Sequence, residues 1–280
     1  MSYEEYLNAG MVLSDYEARE YVRILFEYYN LKKEVGALYN KEDKTPLNII
    51  SLYINYIKKR ELKIIYGDYK EKFITNESIV EPGVTKEERK GLGAVYDYIS
   101  NFPEGKTVNI LVETFKIHNL LYSFCPHPEV AGYLRQDNAY LYDTPYDVTP
   151  GSEVVKEFNK YASKNMQFVL GDNIFDYILE SIQLAVDLIK LQPFNDGNKR
   201  TFRAILNLLL KQAGIPPIYI RKEERNVYKD ELLKAICEKD YEGINKFYLY
   251  KIADSIVSLD IYSHNDEKIY QDPKTKKKTK

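Results

Sequence analysis

Apolar residues recur three and four positions apart through most of the chain, the period of a helix with one buried face. Tyr16–Asn40 carries this pattern, and "PLNIISLYINYIKKRELKIIYGDY" (46–69) gives one or two further helices. "TKEERKGLGAVYDYISNF" opens on Thr85 with Glu88 three residues later, the pairing of a capping box. "VNILVETFKIHNLLYSF" predicts the next helix, which the prolines and glycine of "CPHPEVAG" break. The pattern then changes. "AYLYDTPYDV" sets Tyr, Leu and Val around a Thr-Pro turn and predicts a short hairpin. Helices resume with "SEVVKEFNKYASKN". In "DNIFDYILESIQLAVDLIKLQ", Phe175, Leu179, Ile182, Val186 and Ile189 share one face, so this helix packs in the core. "KRTFRAILNLLLKQAG" follows, stopped by Gly214 and the Pro216–Pro217 pair. "KDELLKAICEKDYEGINKFYLYKIADSIVSLDIY" adds two more helices. The fold class is mainly α. The chain divides into an N-terminal helical region (1–84), a main domain (85–260) and a tail (261–280) whose basic end, "KTKKKTK", is expected to be solvated and disordered.

Composition removes some function classes. Forty basic and 42 acidic residues leave a net charge of −2, so no global field points to nucleic acid or to a membrane surface. No apolar run reaches the roughly 20 residues of a membrane span, and the N-terminus lacks a signal-peptide profile. A chain of 280 residues buries a sizeable core without disulfides. Its two cysteines, Cys125 and Cys237, have no paired spacing and fit a reducing compartment. The expected setting is cytoplasmic, although a protein exported by a specialised machine would have the same composition. The composition is compatible with an oligomer.

The chemistry concentrates in "LQPFNDGNKRTFRAILNLLL" (Leu191–Leu210). Pro193 disfavours helical backbone at Gln192, so one helix stops there and another starts near Lys199. Gly197 permits a tight or left-handed turn in which successive N–H groups converge at a helix N-terminus, where the dipole favours an anion. Arg200 and Arg203 share a face, and their forked donors match phosphate oxygens. Asp196 is a hard oxygen ligand beside them, as Mg²⁺ on a nucleotide requires. Together these parts read as a nucleoside triphosphate site. The same residues would also suit an ordinary Asp-Gly-Asn turn followed by a solvated arginine face.

"QPFNDGNKRTFR" is similar to the signature of the Fic (Fido) family, H-P-F-x-D/E-G-N-G/K-R-x-x-R, at every fixed position except the first. "EVAGYLR" (Glu129–Arg135) resembles the family's Gly-x-x-Arg element, and the hairpin after it resembles the flap that positions a target segment. "KQAGIPPIYI" resembles the stretch after the motif helix. The resemblance implies a helical bundle with a short β-hairpin flap beside the active-site loop. It also implies AMP transfer from ATP to Ser, Thr or Tyr hydroxyls of a target protein docked at the 138–149 hairpin. On that model Asp196 holds Mg²⁺, and the N–H groups of Gly197, Asn198 and Lys199 hold the anion. Arg200 and Arg203 meet the outer phosphates, Asn207 helps seat the nucleoside and Phe194 anchors the loop.

The departure falls on the residue that matters most for proton transfer. Family members have His first, as the base for the attacking hydroxyl; here it is Gln192, which cannot accept a proton near neutral pH. Three explanations stay open: another base, nucleotide binding without transfer, or a different transferred group. His118 reads as a partly buried helix histidine, His127 precedes the flap, His264 lies near the C-terminus, and Asp143 of the hairpin would serve only with a raised pKa. Upstream, "ITNESIVEPGVTKEE" (74–88) resembles the family's inhibitory helix, S/T-x-x-x-E-G/N, with Glu81 in the inhibitory place. Glu77 stands where Ser or Thr is usual, and Pro82 where Gly or Asn is usual. Glu81 is then expected to compete with the γ-phosphate for Arg203. A catalytically inactive nucleotide-binding regulator and a self-inhibited, toxin-like module are the alternatives to an active transferase.

Overall fold

The computed structural model describes residues 45–54, 63–65, 69–81, 83–126, 131–140, 148–169, 173–257 and 260–262. The predicted helix over 16–40, most of the predicted hairpin, His127, Asp143, His264 and the basic tail lie outside the described residues. Two compact units are present: residues 70–248 form one, and 1–69 with 249–280 form the other. The boundary expected at 84/85 falls inside the first of these.

In the second unit, helix α1 (Thr45–Leu52) buries Ile49 and Ile50 completely. Strand β1 (Lys63–Ile65) pairs antiparallel with β4 (Asp260–Tyr262), with Ile64 opposite Ile261. This corrects the helical reading of 46–69 and of the end of the last segment. A three-residue strand is too short to show a period of two, and its partner lies about two hundred residues away.

The larger unit is helical and contains the loop. Helices α2 (Tyr69–Val80), α3 (Lys86–Ser100) and α4 (Ile110–Tyr122) precede the flap region; α5 (Gly151–Asn159), α6 (Ile174–Leu191) and α7 (Asn198–Gln212) follow it. The chain continues through α8 (Arg225–Glu238) and α9 (Glu242–Val257). A two-residue ribbon joins β2 (Val108–Asn109) to β3 (Asn165–Met166). The helix predicted over 152–165 therefore ends at Asn159, and its last residue joins this ribbon.

Helix α3 starts as the sequence predicts. Glu88 N–H donates to Thr85 Oγ1 at 3.1 Å, and Thr85 N–H donates to Glu88 Oε2 at 2.7 Å. Helix α7 runs through the middle, packed on α6, α4 and α3. Ile178, Ile182, Leu188 and Ile189 of α6 and Phe202, Ile205, Leu208 and Leu209 of α7 lie in the core, all without solvent exposure. Phe175 and Leu179 are only half-buried, so the face that packs deepest on α6 is rotated towards Ile174 and Ile178. Where α3 crosses α4 the backbones nearly touch: a Cβ on Gly91 would lie 1.8 Å from the Leu121 carbonyl oxygen, which only glycine permits.

Candidate nucleotide-binding site

The loop between α6 and α7 is built by different means on its two sides. Helix α6 ends at Leu191 because Pro193 follows Gln192. Gln192 takes a left-handed conformation (φ 48°, ψ 59°) and its Nε2 donates to the Ile189 carbonyl at 2.6 Å. The fully buried Arg135 guanidinium lies across the same helix end. Its Nε donates to the Gln192 carbonyl at 2.5 Å, and its other nitrogens reach the carbonyls of Leu191, Asp137 and Thr149. A cation on the last carbonyls of a helix is favoured by the helix dipole. Arg135 thereby ties both bases of the flap region, Asp137 and Thr149, to the loop. Leu134 adds an isolated bridge to Phe194.

Phe194 is fully buried and stacks on His118 with ring centroids 3.8 Å apart. Asn198 closes the loop over it: Phe194 N–H donates to Asn198 Oδ1 and Asn198 Nδ2 donates to the Phe194 carbonyl, both at 2.8 Å. Gly197 is left-handed (φ 74°) and makes no side-chain cap hydrogen bond to the start of α7. A Cβ there would also lie 2.7 Å from the Tyr122 hydroxyl. Asp196 accepts from the Gly197 N–H at 2.6 Å and is otherwise exposed, its side chain retaining 66% of its accessible surface.

Both arginines are held by carboxylates. Arg200 donates to Glu88 Oε1 at 2.5 Å and to the Tyr122 hydroxyl at 3.1 Å, with Asp196 at 3.4 Å. Glu88 thus caps α3 with one oxygen and binds Arg200 with the other. Burial raises the Glu88 pKa, but the Thr85 backbone and Arg200 outweigh it and hold the carboxyl below its usual range. Arg203, one turn further on, donates from Nε to Glu77 Oε2 at 2.8 Å and from Nη1 to Glu81 Oε1 at 2.9 Å. Lys199 also approaches Glu81, at 3.4 Å. Burial raises the Glu81 pKa, yet Arg203 and Lys199 overcome it and lower the net value. For Glu77 burial wins, and its carboxyl is shifted up despite Arg203.

Comparison with known proteins decides the family. The Fic/DOC family model matches residues 53–210, more than half of the chain. The chain belongs to the Fic/DOC family. It is similar to the protein adenylyltransferase Fic of Aedes aegypti, 29% identical over 178 residues, which cover 61% of this chain and 33% of that protein. The Nematostella vectensis protein of the same name is 29% identical over 150 residues, covering 52% and 33%. The Culex quinquefasciatus protein is 41% identical over 76 residues, covering 27% and 14%. The chain thus spans a third or less of the length of these relatives. Among solved structures, a Fic-domain signalling protein from Bacteroides thetaiotaomicron has a TM-score of 0.51 at 15% identity, covering 83% of this chain and 95% of that one. Fic-1 from C. elegans has a TM-score of 0.50 at 22% identity, covering 84% and 70%. These structures share the helical Fic fold.

Within the Fic domain, the structure brings Gln192, Phe194, Asp196, Gly197, Asn198, Lys199, Arg200 and Arg203 to one loop and the first turns of α7. It also brings Glu81 to Arg203, where the sequence pattern placed it. Asn207 is fully buried: its amide accepts from the Ile218 N–H at 2.7 Å and donates to the Ile218 carbonyl at 3.0 Å, fixing the segment after α7. His118 is a buried helix histidine, and it has a structural task. Gly132 N–H donates to its Nδ1 at 2.8 Å, which leaves the proton on Nε2, 3.1 Å from the Asp196 carbonyl. Burial lowers its pKa to about 4, against the pull of Asp196, so it is neutral at pH 7. Sequence reasoning missed the roles of His118, Arg135, Glu88 and Glu77. The signal for His118 was a polar residue on the buried stripe Thr114, Ile117, Leu121 of α4; for Arg135 it was the Gly-x-x-Arg element. The partners of Glu77 and Glu88 are more than a hundred residues distant and left no local signal.

Proposed function

We propose that this Fic domain binds ATP with Mg²⁺ at the α6–α7 loop and is of the protein adenylyltransferase type, with chemistry impaired or altered by Gln192. The observation that carries the reading is the uncapped N-terminus of α7 behind left-handed Gly197, with the exposed Asp196 carboxylate beside it. Asp196, a hard oxygen donor exposed beside that helix start, is the residue that would hold the Mg²⁺. When bound, Mg²⁺ would neutralise phosphate charge and favour departure of pyrophosphate. The chain's own residues would hold the anion through the N–H groups of Asn198 and Lys199, and through that of Gly197 once the Asp196 carboxylate that now accepts from it turns to the ion. The target hydroxyl would be presented by a protein segment lying along residues 138–149, the stretch that the sequence predicts as a hairpin and whose flanking residues Asp137 and Thr149 are bound by Arg135.

A nucleotide-binding regulator without transfer is the second reading. It is favoured by Gln192, whose amide N–H₂ already donates to the end of α6, and by His118, whose two ring nitrogens are both engaged. The test is titration calorimetry with ATP and MgCl₂ on the wild type and Asp196→Ala, followed by incubation with labelled ATP and target lysate. Binding that Asp196→Ala weakens, with a protein AMP adduct, supports the transferase. The same binding without an adduct favours the regulator. Affinity unchanged by Asp196→Ala would remove the loop as the nucleotide site.

A further inference from the structure

We infer that Glu77 is the fixed half of a two-carboxylate clamp on Arg203, and that the clamp makes this site favour a nucleoside diphosphate over a triphosphate. The inference rests on the nucleotide-binding reading above, with Arg203 serving the γ-phosphate of a triphosphate.

Glu77 and Glu81 lie one helical turn apart and engage different edges of one guanidinium, Nε and Nη1. Their surroundings differ. The Glu77 and Arg203 side chains each keep only 3% of their accessible surface, whereas Glu81 keeps 18% and also touches the half-exposed Lys199. Glu81 is therefore the member that an incoming anion can displace. Glu77 is sealed beneath the guanidinium. If Glu81 leaves, Arg203 still forms a neutral pair with Glu77 in a dry environment. An arriving phosphate then gains the hydrogen bond from Nη1 that Glu81 gave up, but little net Coulomb attraction. The third phosphate of a triphosphate thus meets the Glu81 charge first and a neutralised arginine second. A diphosphate makes no demand on Arg203. Glu77 also stands where the resemblance expects Ser or Thr, so the second carboxylate is a feature of this chain's own sequence.

The experiment is calorimetry with ADP and ATP, each with Mg²⁺, on the wild type, Glu81→Gly, Glu77→Gln and the double variant, with thermal unfolding as a check on folding. Gln keeps an acceptor for the Arg203 Nε–H while removing the charge. The wild type should prefer ADP by about tenfold or more, Glu81→Gly should narrow that preference by about threefold at most, and the double variant should abolish it. A wild type that prefers ATP, or Glu81→Gly alone binding ATP as tightly as ADP, would overturn the clamp while leaving the nucleotide site intact. These two arms need no change at Glu77, so the inference stays testable if Glu77→Gln folds poorly. Folded protein that binds neither nucleotide in any variant would overturn the clamp and the nucleotide reading together.

Discussion

The two sides of the α6–α7 loop make a useful contrast. On the α6 side every identified group is occupied: the last carbonyls of the helix accept from Arg135, and the Gln192 amide donates back to Ile189. On the α7 side the helix starts with no side-chain cap, an exposed carboxylate and a left-handed glycine. A saturated helix end stabilises the fold and leaves little to offer a ligand. An open one adds less to the fold and leaves donors for an anion. The difference teaches that the loop's stability and its chemistry are separable, and that substitutions on the two sides should fail in different ways.

The largest expected effect comes from placing a proton acceptor on the saturated side. Histidine tolerates the left-handed backbone that Gln192 adopts better than most residues. Gln192→His should therefore fold normally and raise AMP transfer by on the order of 10²–10⁴-fold, read as self-labelling by mass spectrometry. It is best measured in a background that also carries Glu81→Gly and Glu77→Gln. Unchanged labelling despite measured ATP binding would show that the loop lacks transferase geometry for reasons other than the missing base.

Arg135→Ala tests the saturated side as structure. It removes several charge-assisted hydrogen bonds from buried carbonyls, and denaturant unfolding should show a loss of about 3–4 kcal/mol. Asn198→Ala breaks the closure over Phe194 and leaves its buried N–H unpaired. The expected cost is about 2–3 kcal/mol by the same measurement. Gly197→Ala should cost about 2 kcal/mol, from forcing alanine into a left-handed turn against the Tyr122 ring. It also buries the opening of the helix, so calorimetry should show nucleotide affinity falling further than stability alone explains. If Gly197→Ala binds nucleotide as the wild type does, the open side is not the anion site and the contrast collapses.

Much of this was legible in the sequence because its causes are local. The Thr85–Glu88 capping box, the stop at Gln192 before Pro193, the turn at Gly197 and the placing of Arg200 and Arg203 on one face depend on neighbours within a few residues. The Glu81–Arg203 pair was legible only through resemblance. What the sequence hid depends on partners brought together by folding. Lys63–Ile65 is a strand because Asp260–Tyr262 pairs with it, and Glu88 looks like a simple cap until α7 delivers Arg200 to its second oxygen. His118 sits in a helix, as its sequence pattern predicts. That it would join Gly132, Phe194 and Asp196 could not be seen before the flap and the loop shared one space.

The close crossing of α3 and α4 at Gly91 has a mechanical consequence for a site it never touches. Glu88 lies one turn before Gly91, and Tyr122 follows the Leu121 carbonyl against which Gly91 rests. These two residues approach Arg200 from different helices, and the guanidinium spans the gap between them. The width of that gap is gauged by a residue with no side chain. Even one added methyl group would wedge the helices apart, and Arg200 would have to release either the acid or the phenol.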